Sequence, residues 1–303
     1  MQRVPSILVK VILFIAFLAV LDRISAPYIP GTYDEVMTHF GPPSPIVYSD
    51  YLPHTLPANV TMTGSLAWFQ SNALGYRGPT PTSVDKPPHT VRVLFVGDSF
   101  TMGWGVEEKD TFIARIRGEL GQTSPAVELI NAGYHDGYSP DAYYAYLRRE
   151  GMALKPDLVV IDIYTGNDVT DLQDDVWTST DDTGAPISLY TIRTYTDYQG
   201  RFLNPSILSW NYRIPVLRDS HLFMFVTNII NHYAFPSVGI QQGRFGRSLS
   251  LDEAWSRFQL VTRATVKFCE EQHVPLLYVI IPLPGTTADK DPNARPMEDL
   301  IGG

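Results

Sequence analysis

The chain is poor in cysteine, in basic charge and in clustered metal-binding side chains. Cys269 is the only cysteine among 303 residues. A lone thiol forms no internal disulfide, and inside a helical stretch it reads as a small core residue. Lys and Arg number 23 against 32 Asp and Glu, for a formal net charge of −9. An acidic balance of this kind excludes the electrostatic footprint of a nucleic-acid-binding surface. The seven histidines are scattered without the spacing of a zinc site, so neither a metal nor another cofactor is expected. The acidic stretch Asp171, Asp174, Asp175, Asp181, Asp182 lacks an EF-hand pattern and reads as a solvated loop. A phosphate cradle is missing as well. The loop from Gly97 to Gly105 carries bulky Phe100, Met102 and Trp104 where a nucleotide site wants small residues and open N–H groups. The stretch from Asp22 to about Pro88 carries no repeat period.

What is present is a series of short apolar runs separated by helical patterns. Val91–Val96, Val127–Ile130, Asp157–Tyr164 and Val274–Ile281 read as near-continuous buried strands of a sheet covered on both faces. Asp110 can cap a helix through Phe112, Ile113 and Ile116 to Leu120, with Gly121 beyond its end. Ser139-Pro140 starts a second helix running toward Met152, and Trp255 to Glu271 a third. Strand–helix alternation of this kind predicts a parallel α/β sheet with right-handed crossovers, whose ligand crevice lies at the carboxyl ends of the strands.

The N-terminus is a different kind of segment. Arg3 and Lys10 precede the apolar run Val11–Leu21, the order of a basic n-region and an apolar h-region. Residues 1–26 are therefore expected to be a signal anchor or signal peptide. Ile24-Ser25-Ala26 is a candidate cleavage site, while Asp22 and Arg23 argue for an uncleaved transmembrane helix with the N-terminus inside. Either form puts the rest of the chain outside the cytoplasm, membrane-anchored or secreted. Residues 27–90 are proline-rich and irregular, a stalk followed by a wrapping segment. Residues 91–303 form the α/β domain, interrupted by an insertion over 169–250. That insertion is acidic at first, then tyrosine-rich through Tyr190, Tyr195 and Tyr198, then apolar. It reads as a lid over the crevice, as a cap on the sheet, or as both.

Three tripeptides end the first three strands: Gly97-Asp98-Ser99, Asn131-Ala132-Gly133 and Gly166-Asn167-Asp168. A serine hydroxyl is a weak nucleophile at neutral pH and needs donors around the developing charge. A glycine N–H that a ligand can approach closely and a neutral asparagine amide are such donors. With Phe100 and Thr101 completing the first block, the chain resembles the SGNH (GDSL-type) hydrolase family over roughly Val91 to Pro282. The resemblance implies a flavodoxin-like three-layer α/β/α fold and Ser99 as nucleophile. It also implies that the Gly133 N–H and the Asn167 amide join the Ser99 N–H in holding the oxyanion. Asp98, His135 and Asp168 are the candidates for lying near the substrate. Asp98 either tunes Ser99 or, as the stronger expectation, ties down its turn by bonding backbone N–H groups. His135, two residues past Gly133, overhangs the site or is a solvated loop residue. Asn72-Ala73-Leu74-Gly75-Tyr76-Arg77-Gly78 resembles a segment that precedes the first block in envelope members of the family. It reads as a Gly-pinned turn with an arginine bracing the strand ends.

One family block is missing. No Asp-x-x-His spacing follows Pro282, so no general base is evident. The expectation is a C-terminally truncated copy short of about 50 to 80 residues, judged from ordinary domain sizes. The rival is a complete chain that borrows another histidine or has lost catalysis. His39, His54, His89, His221, His232 and His273 have no sequence relation to Ser99. The expected function is an exported serine esterase acting on carboxylic, O-acetyl esters of small molecules or envelope glycans. The alternatives are an O-acyltransferase using the same acyl-enzyme, and a non-catalytic binding module.

Overall fold

The computed structural model describes residues 6–28, 49–63, 68–81, 83–121, 125–134, 138–174, 176–189, 195–196, 202–203, 214–226, 249–286, 290–291 and 296–297. Its contacts divide the chain into two compact units, Met1–Pro43 with Tyr195–Ser237, and Ser44–Thr194 with Val238–Gly303. The 49–90 stretch expected to be stalk and wrapping segment therefore belongs with the α/β unit.

The first unit contains helix α1, Ser6–Ser25. Its apolar side chains face outward: Leu13, Phe14, Ile15 and Phe17 are each 60–63% exposed. Near its end Asp22 Oδ1 accepts from Ser220 Oγ (2.8 Å) and Leu222 N (2.7 Å), so the carboxylate closes the start of the helical turns at 221–226. Among the described residues no helix is long and apolar enough to cross a membrane. This corrects the expected transmembrane helix. Lys10, Asp22 and Arg23 confine the uninterrupted apolar run of α1 to Val11–Leu21, well short of the ~20 residues that a span requires.

The second unit is built on a four-stranded sheet. Strands β1 (Thr61–Thr63) and β2 (Trp68–Gln70) pair as a small antiparallel ribbon ahead of it. Then come β3 (Thr90–Gly97), the one-turn helix α2 (Ser99–Met102), α3 (Phe112–Leu120), β4 (Ala126–Gly133), α4 (Pro140–Arg149) and β5 (Leu158–Tyr164). The one-turn α5 (Asp168–Asp171) leads into a hairpin of β6 (Trp177–Thr180) and β7 (Pro186–Leu189). In the first unit, β8 (Tyr195–Thr196), β9 (Phe202–Leu203) and α6 (Pro215–Arg218) follow. Back in the second unit come α7 (Leu251–Glu271) and β10 (Leu276–Ile281). The sheet order is β10-β5-β3-β4, and each neighbouring pair is parallel. Among the described residues this is the flavodoxin-like order for four strands, with the direction of build-up reversing between β3 and β5.

Alternation along the strands explains the layers. Leu94 and Val96 of β3, Ile130 and Ala132 of β4, and Val159, Ile161 and Ile163 of β5 pack with Tyr143, Tyr146 and Leu147 of α4 and Phe258 of α7. Val93 and Phe95, one residue out of phase, point to the other face and meet Phe112 and Ile113 of α3. Helices thus cover both faces in an α/β/α arrangement, as expected. Cys269 lies in α7 and is 1% exposed, a core residue whose thiol burial pushes up to about 11.

Several boundaries differ from the sequence reading, each for a local reason. The cap of α3 is Thr111, whose Oγ1 accepts from Ala114 N (3.2 Å), while Asp110 closes a preceding 3₁₀ turn. Helix α4 stops at Arg149 and hands over to a 3₁₀ turn at Gly151–Leu154. Helix α7 begins at Leu251 because Ser250 and Glu253 form a reciprocal capping box. The described start of the insertion does not remain loop. Trp177 Nε1 donates to Asp141 Oδ2 of α4 (2.7 Å), and the Arg257 guanidinium of α7 stacks on the Trp177 ring at 4.1 Å. The β6–β7 hairpin therefore packs on the helical layer of α4 and α7, the cap reading. Tyr190 and Tyr198 of the expected lid lie outside the described residues, as does the side chain of Tyr195.

Candidate active site

Strand register brings the three tripeptides to one edge of the sheet. Gly97 at the end of β3 pairs directly with Gly133 at the end of β4. On the other side of β3, Val96 pairs with Ile161 of β5, and β5 runs three residues further before Gly166-Asn167-Asp168. Ser99 thus opens α2 at the carboxyl end of the central strand, with the Gly133 strand on one flank and the Asn167 loop on the other.

Helix α2 is fixed from both sides. Thr101 Oγ1 donates to Asp162 Oδ2 on β5 (2.8 Å), and Asn131 Nδ2 on β4 donates to Thr101 O (3.0 Å). A Cβ at Gly133 would lie 2.2 Å from Met102 N, and one at Gly97 would lie 2.0 Å from Thr101 Oγ1. Both glycines are dictated by the close approach of α2 to the strand ends. The Asn72–Gly78 segment performs the bracing expected of it. Asn72 Oδ1 accepts from Leu74 N (2.9 Å) and Tyr76 N (3.1 Å), and Gly75 turns the chain at φ +85°. Buried Arg77 then donates to the carbonyls of Met102 (2.8 Å), Gly103 and Val106 (2.5 Å), holding the loop that follows Ser99.

Ser99 is half-buried, and among the described residues its hydroxyl makes no hydrogen bond. Asp98 caps α2: its Oδ1 accepts from Phe100 N (2.8 Å), which is the turn-tying role. The Gly133 N–H donates to Asn131 Oδ1 (3.0 Å). Asn167 Nδ2 donates to Asp171 Oδ2 (2.7 Å), which leaves the second hydrogen of that amide. Asp168, expected beside the substrate, is instead wholly buried. Its carboxylate accepts from Tyr143 OH (2.9 Å) and Tyr164 N (2.8 Å), so it anchors the loop rather than facing the crevice. Burial, reinforced by nearby Asp98, holds its pKa well above the ordinary carboxylate value.

His135 lies outside the described residues, as do His39 and His232. Of the others, His54 is fully buried and packs edge-on against Tyr138 with ring centroids 5.2 Å apart. His273 sits at positive φ just past the end of α7, its N–H bonded to Glu270 O (3.0 Å).

Three contributors were not apparent from sequence. Asp162 lies in the middle of an apolar strand, and burial pushes its carboxyl up to about 7, with nearby Asp98 raising it and the Thr101 hydroxyl lowering it. Its Oδ1 is buried without a hydrogen-bond partner among the described residues. Asp171 was expected in a solvated acidic run. It is half-buried and bonded to Asn167, and burial raises it to about 7. Its spacing of four residues from Asn167 on one helical turn is the signal that could have found it. Asp181 of the same run also turns inward. It accepts from Tyr144 OH (2.5 Å), Arg148 Nη1 (2.8 Å) and Thr183 Oγ1 (2.6 Å).

A stacked pair of aromatics flanks the serine. Phe100, 40% exposed, stacks on Tyr164 at 3.9 Å between centroids. A Cβ at Gly166 would lie 2.5 Å from the Tyr164 ring, so that ring lies over the turn leading to Asn167. The β5 side of the crevice edge thus carries both this aromatic pair and the Asn167 amide.

No family model matches the chain, and no curated protein matches it. Among solved structures, a variant of the esterase AlinE4 is similar at 13% identity and a TM-score of 0.34, over 72% of this chain and 73% of that one. AlinE4 itself, described as an SGNH-hydrolase family esterase, is similar at 12% identity and a TM-score of 0.30, over 71% and 70%. A catalytic variant of Axe2, an acetylxylan esterase from Geobacillus stearothermophilus, is similar at 15% identity and a TM-score of 0.33, over 69% and 68%.

Proposed function

We propose that this chain is an exported serine esterase that cleaves carboxylic esters, with O-acetyl groups on envelope or extracellular glycans as the favoured substrates. The observation that carries the reading is the strand register. Gly97 pairs with Gly133 and β5 lies beside β3, so the half-buried serine, the glycine strand end and the loop of the asparagine amide all lie at the carboxyl ends of adjacent parallel strands. A ligand crevice belongs at that position. In this reading the Ser99 oxygen attacks the ester carbonyl and its proton passes to a general base. The tetrahedral oxyanion is met by the second Nδ2 hydrogen of Asn167 and by the Gly133 N–H, shared with Asn131 Oδ1. The alcohol leaves, an acyl group remains on Ser99, and water releases it as the carboxylic acid. An oxyanion donor of this kind contributes about 3 kcal/mol at the transition state. Export is supported by the outward-facing apolar helix α1 and its basic flank, the pattern of a signal segment.

The test is covalent labelling with a fluorophosphonate probe, alongside acetate release from acetylated oligosaccharides. Wild-type protein is expected to take up the probe on Ser99, and Ser99→Ala to lose all labelling while melting at the same temperature. Equal labelling of the two proteins would refute the assignment. Labelling without acetate release, but with transfer to an added glycan acceptor, would move the reaction from hydrolysis to acyl transfer.

A further inference from the structure

We propose that Asp171 is the positioning residue for the Asn167 amide, holding one Nδ2 hydrogen so that the other is presented to the oxyanion; this rests on the esterase reading above. The two ends of an asparagine amide are nearly alike in shape but opposite in function: the nitrogen only donates and the oxygen only accepts. Turned the wrong way, Asn167 would set an oxygen against the oxyanion. Its own Oδ1 is buried and finds no hydrogen-bond partner among the described residues, so no bond to that atom selects the orientation. The bond that does select it is Nδ2 to Asp171 Oδ2 at 2.7 Å. An ionised carboxylate accepts and never donates, so it takes the NH₂ end and repels the carbonyl end.

The acceptor is itself held. Asp171 N donates to Asn167 O (2.7 Å), and Thr170 Oγ1 donates to the same carbonyl (3.0 Å). One helical turn therefore carries both partners at a fixed spacing. Asp168 and Tyr143 are linked to Asp171 electrostatically, and the carboxylates of Asp174, Asp98 and Asp141 act on it. With burial they bring its proton on near neutral pH, to about 7. Above that pH the carboxylate discriminates between the two ends of the amide. Below it, the carboxyl O–H can donate to the carbonyl end of the amide while its other oxygen still accepts from the NH₂ end, so the discrimination weakens.

The experiment uses the full ¹⁵N-labelled chain. The Asn167 side-chain NH₂ pair is assigned by its loss in Asn167→Ala. In the wild type its two protons are expected to be widely separated, with a pH dependence centred near 7. Asp171→Ala should collapse that separation. Asp171→Asn, whose amide can both accept and donate, should keep only part of the separation and lose the pH dependence. A pair that is unchanged in both variants overturns the proposal, whether or not the protein hydrolyses esters. Kinetics form the second arm. Asp171→Ala should lower kcat about tenfold, part of the 10²–10³ that removal of such a donor costs, with KM within about twofold. Asp171→Asn should recover only part of the loss. In an Asn167→Ala background, Asp171→Ala should have no further effect, since the two act as one unit. Full additivity of the two substitutions would overturn the proposal while leaving the esterase reading intact. A wild-type protein that neither labels nor turns over would sink the esterase reading, and the amide spectra would still decide whether Asp171 sets the Asn167 side chain.

Discussion

Replacing Asp162 with asparagine should change how the stability of this protein depends on pH. Asp162 is a carboxyl inside an apolar strand, satisfied on one oxygen by Thr101 (2.8 Å) and, among the described residues, without a hydrogen-bond partner on the other. Burial moves its pKa from 3.8 to about 7. The sign follows from proton counting. Between those two values the folded chain keeps the proton that the unfolded chain has released, so stability falls as pH rises through the window. Each unit of displacement is about 1.4 kcal/mol, so the whole window amounts to about 4 kcal/mol, of which about 2–3 kcal/mol lies between pH 5 and pH 8. Asparagine does not titrate, and its oxygen can still accept from Thr101. Urea unfolding of the wild type and Asp162→Asn at the two pH values cancels every other titrating group in the difference. The asparagine variant should gain on the wild type by that amount on going from pH 5 to pH 8. Parallel stability profiles for the two proteins would show that the Asp162 pKa is not raised above its unfolded value.

The remaining predictions concern the same corner of the sheet. Asn167→Ala should lower kcat by about 10² to 10³ with little change in KM, because the donor acts mainly at the transition state; a change confined to KM in steady-state assays would count against it. Gly133→Ala would set a methyl 2.2 Å from Met102 N, so α2 must shift. A loss of about 2–3 kcal/mol in denaturant titration and at least tenfold slower probe labelling of Ser99 are expected, as for an overpacked core. A variant that labels at the wild-type rate would contradict the close approach. Arg77→Met would leave the carbonyls of Met102, Gly103 and Val106 without their buried donor, at a cost of about 3 kcal/mol or more. A thermal melt unchanged from the wild type would refute the bracing role.

The fold was legible where apolar runs were unbroken. Strands β3 and β5 begin and end within a residue of their sequence assignment, because Val, Ile and Leu filled them on both faces. Strand β4 was read three residues short, to Ile130, since Asn131 and Gly133 are poor strand formers by local preference. Their strand conformation comes from pairing with Phe95 and Gly97 across β3, a contact over more than thirty positions in the chain. The same limit applies to the insertion. Asp181 looked solvated among its acidic neighbours, and only its meeting with Tyr144 and Arg148 of α4 turns it inward.

At the site, what could be read was the chemistry carried by short contiguous motifs, and what could not was the shell that aims it. Ser99, Gly133 and Asn167 each end a strand or follow one closely, so a parallel sheet brings them to one edge with no further information. Asp162 and Asp171 carry no such local mark. Their pKa values are raised because each is enclosed by elements distant in the chain, and enclosure is a property of the packing rather than of the neighbouring residues. The two acids nonetheless divide the work of the site between them. Asp162 fastens the helix that carries Ser99, and in the proposed reading Asp171 holds the Asn167 amide. Both are set by burial to change charge near pH 7. A pH profile of activity governed by these groups would therefore report the placement of Ser99 and Asn167 as well as the ionisation of a general base. Asp162→Asn and Asp171→Asn separate the contributions, because each removes one titration while keeping an acceptor in place.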